Sequence, residues 1–197
     1  MKPLEIRFQE IGYTTYNYGY KSTSNNIHKL GIEFAEWINE NIPNKKFYLI
    51  SHSMGNLLGR EMENYDSTLQ IVRWVMLAPP NQGSEYADTL NNFLLYKWIT
   101  KTPGQEILAT SEAHYKSLPP PNCEFGIIAG GRKNNKGYNP LINADNDWDV
   151  RVDETYLAKM KDFIILKHSH AELLLAYDTF YQSLHFIKYG SFDKEYY

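Results

Sequence analysis

Ser53 lies in the run "LISHSMGNLLGRE" (49–61), and carboxylates and histidines crowd two later runs, "NADNDWDVRVDETY" (143–156) and "LKHSHAELLL" (166–175). A serine hydroxyl attacks a carbonyl only when a base takes its proton, and the base works best when a carboxylate orients it. In chain order the sequence offers the nucleophile first, the acid second and the base third. Asp145, Asp147 and Asp149 are the candidate acids, and His168 and His170 the candidate bases. Residue types alone leave the choice within each set open.

The surroundings of Ser53 fit a strand thrown directly into a helix. Such a turn strains its central residue, and the positions two before and two after it must be small. Here they are Ser51 and Gly55, so a serine stands where glycine is more usual. Five residues of this kind are a weak signal by themselves. Their context strengthens it, because an apolar run precedes them and a helical pattern follows. The backbone N–H of Met54 would open that helix and point at a developing oxyanion, helped by the helix dipole. His52 is a neighbour of Ser53 on a turn whose side chains diverge, so it is expected to pack or support rather than to act as the base.

Metal chemistry is the main alternative for these residues. Asp145, Asp147 and Asp149 alternate as at the start of a calcium loop, but Val150 occupies the glycine position and Tyr156 that of the bidentate glutamate. His168 and His170 lack a third ligand at convincing spacing. No metal and no cofactor are therefore expected. His28, His114 and His185 fall in helix or loop patterns and read as surface or core residues, and Cys123 as a free thiol in a loop.

Positioning such a set requires a scaffold, and the periodicities describe one. A short helix is expected over 3–11, and the β-branched and aromatic run 13–20 reads as a strand. Ile27, Leu30, Phe34, Trp37 and Ile38 recur at helical spacing until Pro43. The continuous apolar run 46–51 reads as a strand buried on both faces. A helix over 54–65, a strand over 71–78, a helical pattern over 84–112 broken at Pro103-Gly104, and a strand over 124–130 follow. Then come a polar loop (131–149), a strand (162–168) and a last helix through Leu173, Tyr177, Phe180, Leu184 and Ile187, closed by Gly190. Strands alternating with helices imply a parallel sheet with helices on its faces. Sites in such sheets gather at the carboxyl ends of the strands, where Ser53, the acidic loop and both histidines would fall.

Composition sets outer bounds. At 197 residues, with 43% hydrophobic and 15% aromatic content, the chain suits one domain with a substantial core. A net charge of −3 without a basic block argues against nucleic acid and anionic membrane surfaces as partners. One cysteine excludes an intramolecular disulfide. No apolar stretch approaches the length of a membrane span, and Met1-Lys2-Pro3-Leu4-Glu5 does not open a signal peptide, which makes a cytoplasmic location the default. Nothing in the sequence specifies an oligomeric state.

Four segments together resemble the α/β-hydrolase superfamily, specifically the bacterial lipase- and esterase-like serine hydrolases. They are "GYTTYNYGYKSTSNNI", "LISHSMGNLLGRE", "VMLAPPNQGS" and the tail from "DNDWDVRVDETYL" through "KDFIILKHSHAELLL" to "HFIKYG". The resemblance implies a three-layer α/β/α fold with a mainly parallel sheet of about five strands. It implies Ser53 as nucleophile. It implies Asp147 as acid, in a stretch where the family carries Asp-Gly-x-Val and this chain has Trp148 in place of the glycine. It favours His170 over His168 as base. The substrate implied is a small-molecule ester or lipid. "PPNQGS", with Pro80 and Asn81, would shape the pocket wall or serve as a structural turn. Residues 84–112, with Phe93 and Trp98, would cap an apolar acyl pocket or pack as ordinary core.

The family normally places a central strand ending in His-Gly ahead of the first helix, and its loop supplies a second oxyanion N–H. This sequence begins after that point, so the sheet is expected to be N-terminally shortened, either because the chain is a fragment or has a misplaced start, or as a natural shortening. The 13–20 strand would then pair with 46–51 directly or stand across a gap. Losing one oxyanion donor lowers a rate by about 10²–10³-fold. The alternatives to an ester hydrolase are accordingly an impaired relative acting as a binding or interaction module, or an acyltransferase sharing the acyl-enzyme.

Overall fold

The computed structural model describes residues 1–21, 26–83 and 117–196. Helix α1 (Lys2–Glu10) carries proline in its first turn and buries Leu4 and Phe8, one turn apart. Helix α2 (Ile27–Asn41) is capped by Asn26, whose side chain accepts from Lys29 N at 2.9 Å, and buries Phe34, Ala35 and Ile38. Strand β1 (Lys46–His52) runs straight into α3 (Met54–Tyr65). Strands β2 (Gln70–Leu77), β3 (Glu124–Gly130) and β4 (Asp162–Leu166) follow, then α4 (Tyr177–Tyr189), which ends at Gly190 with φ 76°.

The sheet is parallel throughout, in the order β1-β2-β3-β4. Period-two alternation sends the side chains of each strand to opposite faces. Val75 and Leu77 of β2, Ile128 of β3 and Leu166 of β4 pack with Leu4, Phe8, Phe180 and Phe186 of α1 and α4. Trp74 and Met76 of β2, with Phe125 and Ile127 of β3, pack with Phe34, Ile38 and Met62 of α2 and α3. The result is three layers, helices over both faces of one sheet. Helix α3 lies close on β2 because Gly59 offers no side chain: a Cβ there would stand 2.5 Å from the Trp74 ring. A mid-helix glycine costs about 1 kcal/mol against alanine, and here it lets the helix approach an indole.

Two expectations are corrected. Residues 13–20 form no strand, and the sheet has four strands among the described residues, in keeping with the expected mainly parallel, shortened sheet. The segment's polar side chains bond to α1, with Gln9 Nε2 donating to Thr15 Oγ1 and Asn17 Nδ2 to Glu5 Oε2, both at 2.8 Å. Its aromatic rings supply packing instead of a ladder: Tyr13 meets Phe8 edge-on, and Tyr18 stacks on Phe34. β propensity marks residues that fit a pleated surface, and a strand still needs a neighbour to pair with. The second correction concerns β1, which among the described residues lies at the edge of the sheet and is mostly half-buried, with Tyr48 43% exposed. A continuous apolar run is thus compatible with an edge strand when loops and helices cover it.

Candidate active site

The turn between β1 and α3 holds Ser53 at φ 53° and ψ −129°, a conformation costly for any residue but glycine. Hydrogen bonds over-determine it. Ser53 N donates to Leu77 O of β2 at 2.9 Å. The buried Asn56 amide donates to Ser53 O at 2.9 Å and to Leu77 O at 3.1 Å. Trp74 Nε1 donates to Ser51 Oγ at 2.7 Å, and Ser51 Oγ donates to Asn56 Oδ1 at 2.5 Å. Ser51 therefore contributes a relay that glycine could not. Asn56 and Trp74 escaped the sequence reading, although Asn56 sits one residue past the small-residue pattern. At Gly55 a Cβ would lie 3.8 Å from Ser51 Cβ, an ordinary contact, so the turn excludes large side chains there rather than a methyl group. Met54 N–H is among the first-turn donors that a helix leaves without an intrahelical partner.

The acidic loop after β3 is built around Asn146, which is fully buried. Its amide donates to Ala144 O at 2.8 Å, and its oxygen accepts from Asn139 N at 2.8 Å and Trp148 N at 3.0 Å. Trp148, at the position where the resembled family carries glycine, takes φ 104°, and Asn139 Nδ2 donates to its carbonyl at 3.0 Å. The turn thus keeps a glycine-like backbone around a half-exposed tryptophan. Asp147 is 1% exposed, and its Oδ1 accepts from Asp149 N at 3.1 Å and Val150 N at 2.8 Å.

Asp147 Oδ2 accepts from His170 Nδ1 at 2.7 Å, and Asp147 O accepts from His170 N at 2.7 Å. Side chain and main chain of the two residues are joined twice, 23 positions apart. Gly130, the last residue of β3, makes room for this closure: a Cβ there would stand 2.7 Å from both Asp147 Cβ and His168 O. A glycine closing an apolar strand was the available signal. Burial opposes charge on His170, but the hydrogen bond and charge of Asp147, with Asp149 beyond it, outweigh burial and raise its pKa above the ordinary histidine value. Asp149 is pushed up by burial, eased by His170 and reinforced by Asp147.

His52 and His170 stand with ring centroids 4.5 Å apart, and His52 Nε2 donates to His170 O at 3.0 Å. Burial first, and the nearby His170 second, drive the His52 pKa down to about 3. Among the described residues no hydrogen bond joins Ser53 Oγ to the His170 ring. His168 turns to another partner, Asp178 of α4, with Nε2 donating at 2.8 Å. Asp145 accepts from Arg132 N at 2.8 Å. Asn81, 3% exposed beside the buried Pro80, donates to Thr155 O at 2.8 Å and accepts from Arg60 of α3 at 3.4 Å, so both ends of its amide meet protein groups. Phe93 and Trp98, with the expected cap over 84–112, lie outside the described residues. Among the described residues no group of three or more His, Cys, Asp or Glu is arranged to hold a metal ion, and no helix is long and apolar enough to cross a membrane.

A parallel sheet layered by helices, with a strained serine between strand and helix and an Asp–His pair at the same edge, defines the α/β-hydrolase fold. Solved structures agree. The chain superposes on the mature form of the Bacillus licheniformis lipase BlEst2 with a TM-score of 0.57, at 16% identity over 76% of this chain and 69% of that one. The propeptide form gives 0.58 at 14% identity, over 81% of this chain and 41% of that one. The phospholipase PlaB from Legionella pneumophila gives 0.53 at 17% identity, over 77% of this chain and 40% of that one. At such identities the likeness is one of fold. No protein-family model matches the chain, and neither does any curated protein sequence.

Proposed function

We propose that the protein is a serine hydrolase that cleaves carboxylic esters through an acyl-enzyme. The observation that carries this reading is the pairing of His170 with the buried Asp147, held by two hydrogen bonds beside the strained turn that presents Ser53. In this reading Ser53 Oγ attacks the ester carbonyl while its proton passes to His170 Nε2. Asp147 holds the ring with its proton on Nδ1 and stabilises the imidazolium. Met54 N–H donates to the oxyanion of the tetrahedral intermediate. Collapse breaks the C–O bond, and the alcohol leaves with the proton from His170. Water, deprotonated by the same ring, then frees the acid and regenerates Ser53. The substrate is a small-molecule ester or lipid, consistent with the lipase and phospholipase that share the fold.

One observation favours a second reading, a relative that binds but does not turn over: Ser53 Oγ and the His170 ring are not hydrogen-bonded among the described residues. Free enzymes often tighten this contact only when substrate binds. A fluorophosphonate probe separates the two readings. The wild type should label covalently, and Ser53→Ala and His170→Ala should not. A wild type that stays unlabelled, at a concentration where a known esterase reacts, refutes the hydrolase.

A further inference from the structure

We infer that His52 is a positioning residue, whose ring holds the backbone carbonyl of His170 and so fixes the base's loop to the turn bearing Ser53. The inference rests on the hydrolase reading for its catalytic consequence, though not for its geometry. His52 is the last residue of β1, and Ile50, two positions earlier on the same side of the strand, packs into the core beneath α1 and α4. That side is where the loop after β4 returns. Among the described residues, the 3.0 Å bond from His52 Nε2 to His170 O is the one hydrogen bond between the β1–α3 unit and residues 167–176.

The main chain of His170 is consequently held from both ends. Its N–H donates to Asp147 O at 2.7 Å, and its carbonyl accepts from His52. The first bond sets the ring against its acid. The second sets the same residue against the side chain one position before Ser53. A carbonyl only accepts, so His52 carries its proton on Nε2 and leaves Nδ1 bare. Desolvated by its surroundings, with His170 beside it and neither Asp147 nor Asp149 hydrogen-bonded to it among the described residues, the His52 ring stays neutral. It supplies a donor without placing a second positive charge beside the imidazolium that forms on His170. Lysine or arginine would supply the donor and the charge together. A displacement of about 1 Å between reacting groups lowers a rate by about 10²-fold, so a residue that fixes this distance acts on turnover more than on binding.

His52→Phe keeps a ring and removes the donor, whereas His52→Gln keeps an N–H that can reach the carbonyl. On a 4-nitrophenyl butyrate substrate, His52→Phe should lower kcat about 10–100-fold with KM within about twofold, and His52→Gln should recover to within about threefold of wild type. The downfield NMR resonance of the His170 Nδ1 proton should broaden or vanish in His52→Phe and return in His52→Gln. Unchanged kcat and resonance in His52→Phe, or equal losses in both variants, overturns the inference. If the wild type neither hydrolyses the ester nor takes the fluorophosphonate, the hydrolase reading fails and the resonance alone decides the positioning role. Nitrogen-15 shifts of wild-type His52 give a check that needs no variant: the Nε2–H tautomer supports the bond, and the Nδ1–H tautomer refutes it.

Discussion

His168 and His170 stand two residues apart in one loop, and each meets an aspartate, yet the two pairs differ in almost everything around them. The His170–Asp147 side chains are 13% and 1% exposed, and those of His168 and Asp178 are 25% and 24%. Asp147 also accepts from two main-chain N–H groups of its own loop, so its carboxylate has one orientation. Among the described residues, Asp178 accepts, besides His168, only from Thr179 N in the first turn of α4. The first pair joins the loops after β3 and β4, and the second fastens one loop to the helix that follows it. Identical side-chain chemistry therefore forms a mostly enclosed, pre-oriented pair in one place and a more exposed fastening in the other. A partly exposed hydrogen bond of the second kind contributes about 1 kcal/mol.

Replacing the histidines tests this contrast most severely. His170→Ala should lower kcat/KM for 4-nitrophenyl butyrate by about 10⁴-fold or more, and His168→Ala by less than about threefold. Comparable losses in both would erase the distinction. Replacing the aspartates comes next. Asp147→Asn should lower kcat by about 10²–10⁴-fold, because the amide cannot stabilise the imidazolium, while Asp178→Asn should leave it within about threefold. Activity retained in Asp147→Asn and lost in the double variant with Asp149→Asn would move the acid's role to its neighbour.

Titration sharpens the comparison further. The raised pKa of His170 means that the free enzyme's kcat/KM should climb with pH through a midpoint above 6.5, the ordinary histidine value. The linked stability has a definite sign. A histidine whose folded pKa is raised contributes stability that is complete below its unfolded pKa and is lost as pH rises through the folded value. His52 acts in the opposite sense. Its folded pKa is depressed to about 3, so the unfolded chain binds a proton that the folded one does not, and stability falls as pH drops below 6.5. Denaturant melts of wild type, His52→Gln and Asp147→Asn across pH 4–8 should show the acid-side loss reduced in the first variant. They should show the alkaline-side loss reduced in the second.

The smallest effect belongs to Trp148. Its φ of 104° is one that glycine adopts freely, and its side chain is 47% exposed. Trp148→Gly should stabilise the protein by about 1 kcal/mol, the relief of backbone strain exceeding the glycine's unfolded-state entropy. Activity should stay within about threefold of wild type. A drop in melting temperature would show that the indole itself, and not only the turn, supports Asp147.

How far the sequence already contained the site depends on how local each part is. The turn around Ser53 was legible because its determinants are contiguous: an apolar run, small residues at fixed offsets, and a helical pattern that begins at Met54 and runs to Tyr65. Strand β3 and helix α4's closing Gly190 were legible for the same reason, since period, length and a left-handed cap are written in neighbouring residues. The candidates Asp147 and His170 could be nominated from chain order and family resemblance. Their pairing, and the diversion of His168 to Asp178, could not be read from spacing.

Those outcomes belong to the tertiary structure. Whether His168 or His170 meets the acidic loop depends on where β4 ends relative to β3, and on the room that Gly130 leaves at that edge. Whether 13–20 becomes a strand depends on a neighbour to pair with, and whether β1 is central or peripheral depends on the order of the whole sheet. A backbone turn or a helical face is decided by residues within a few positions, because the interactions that form it close over a few positions. A hydrogen bond between residues 23 apart, or a strand's place in a sheet, is decided by packing among elements that the chain itself does not order.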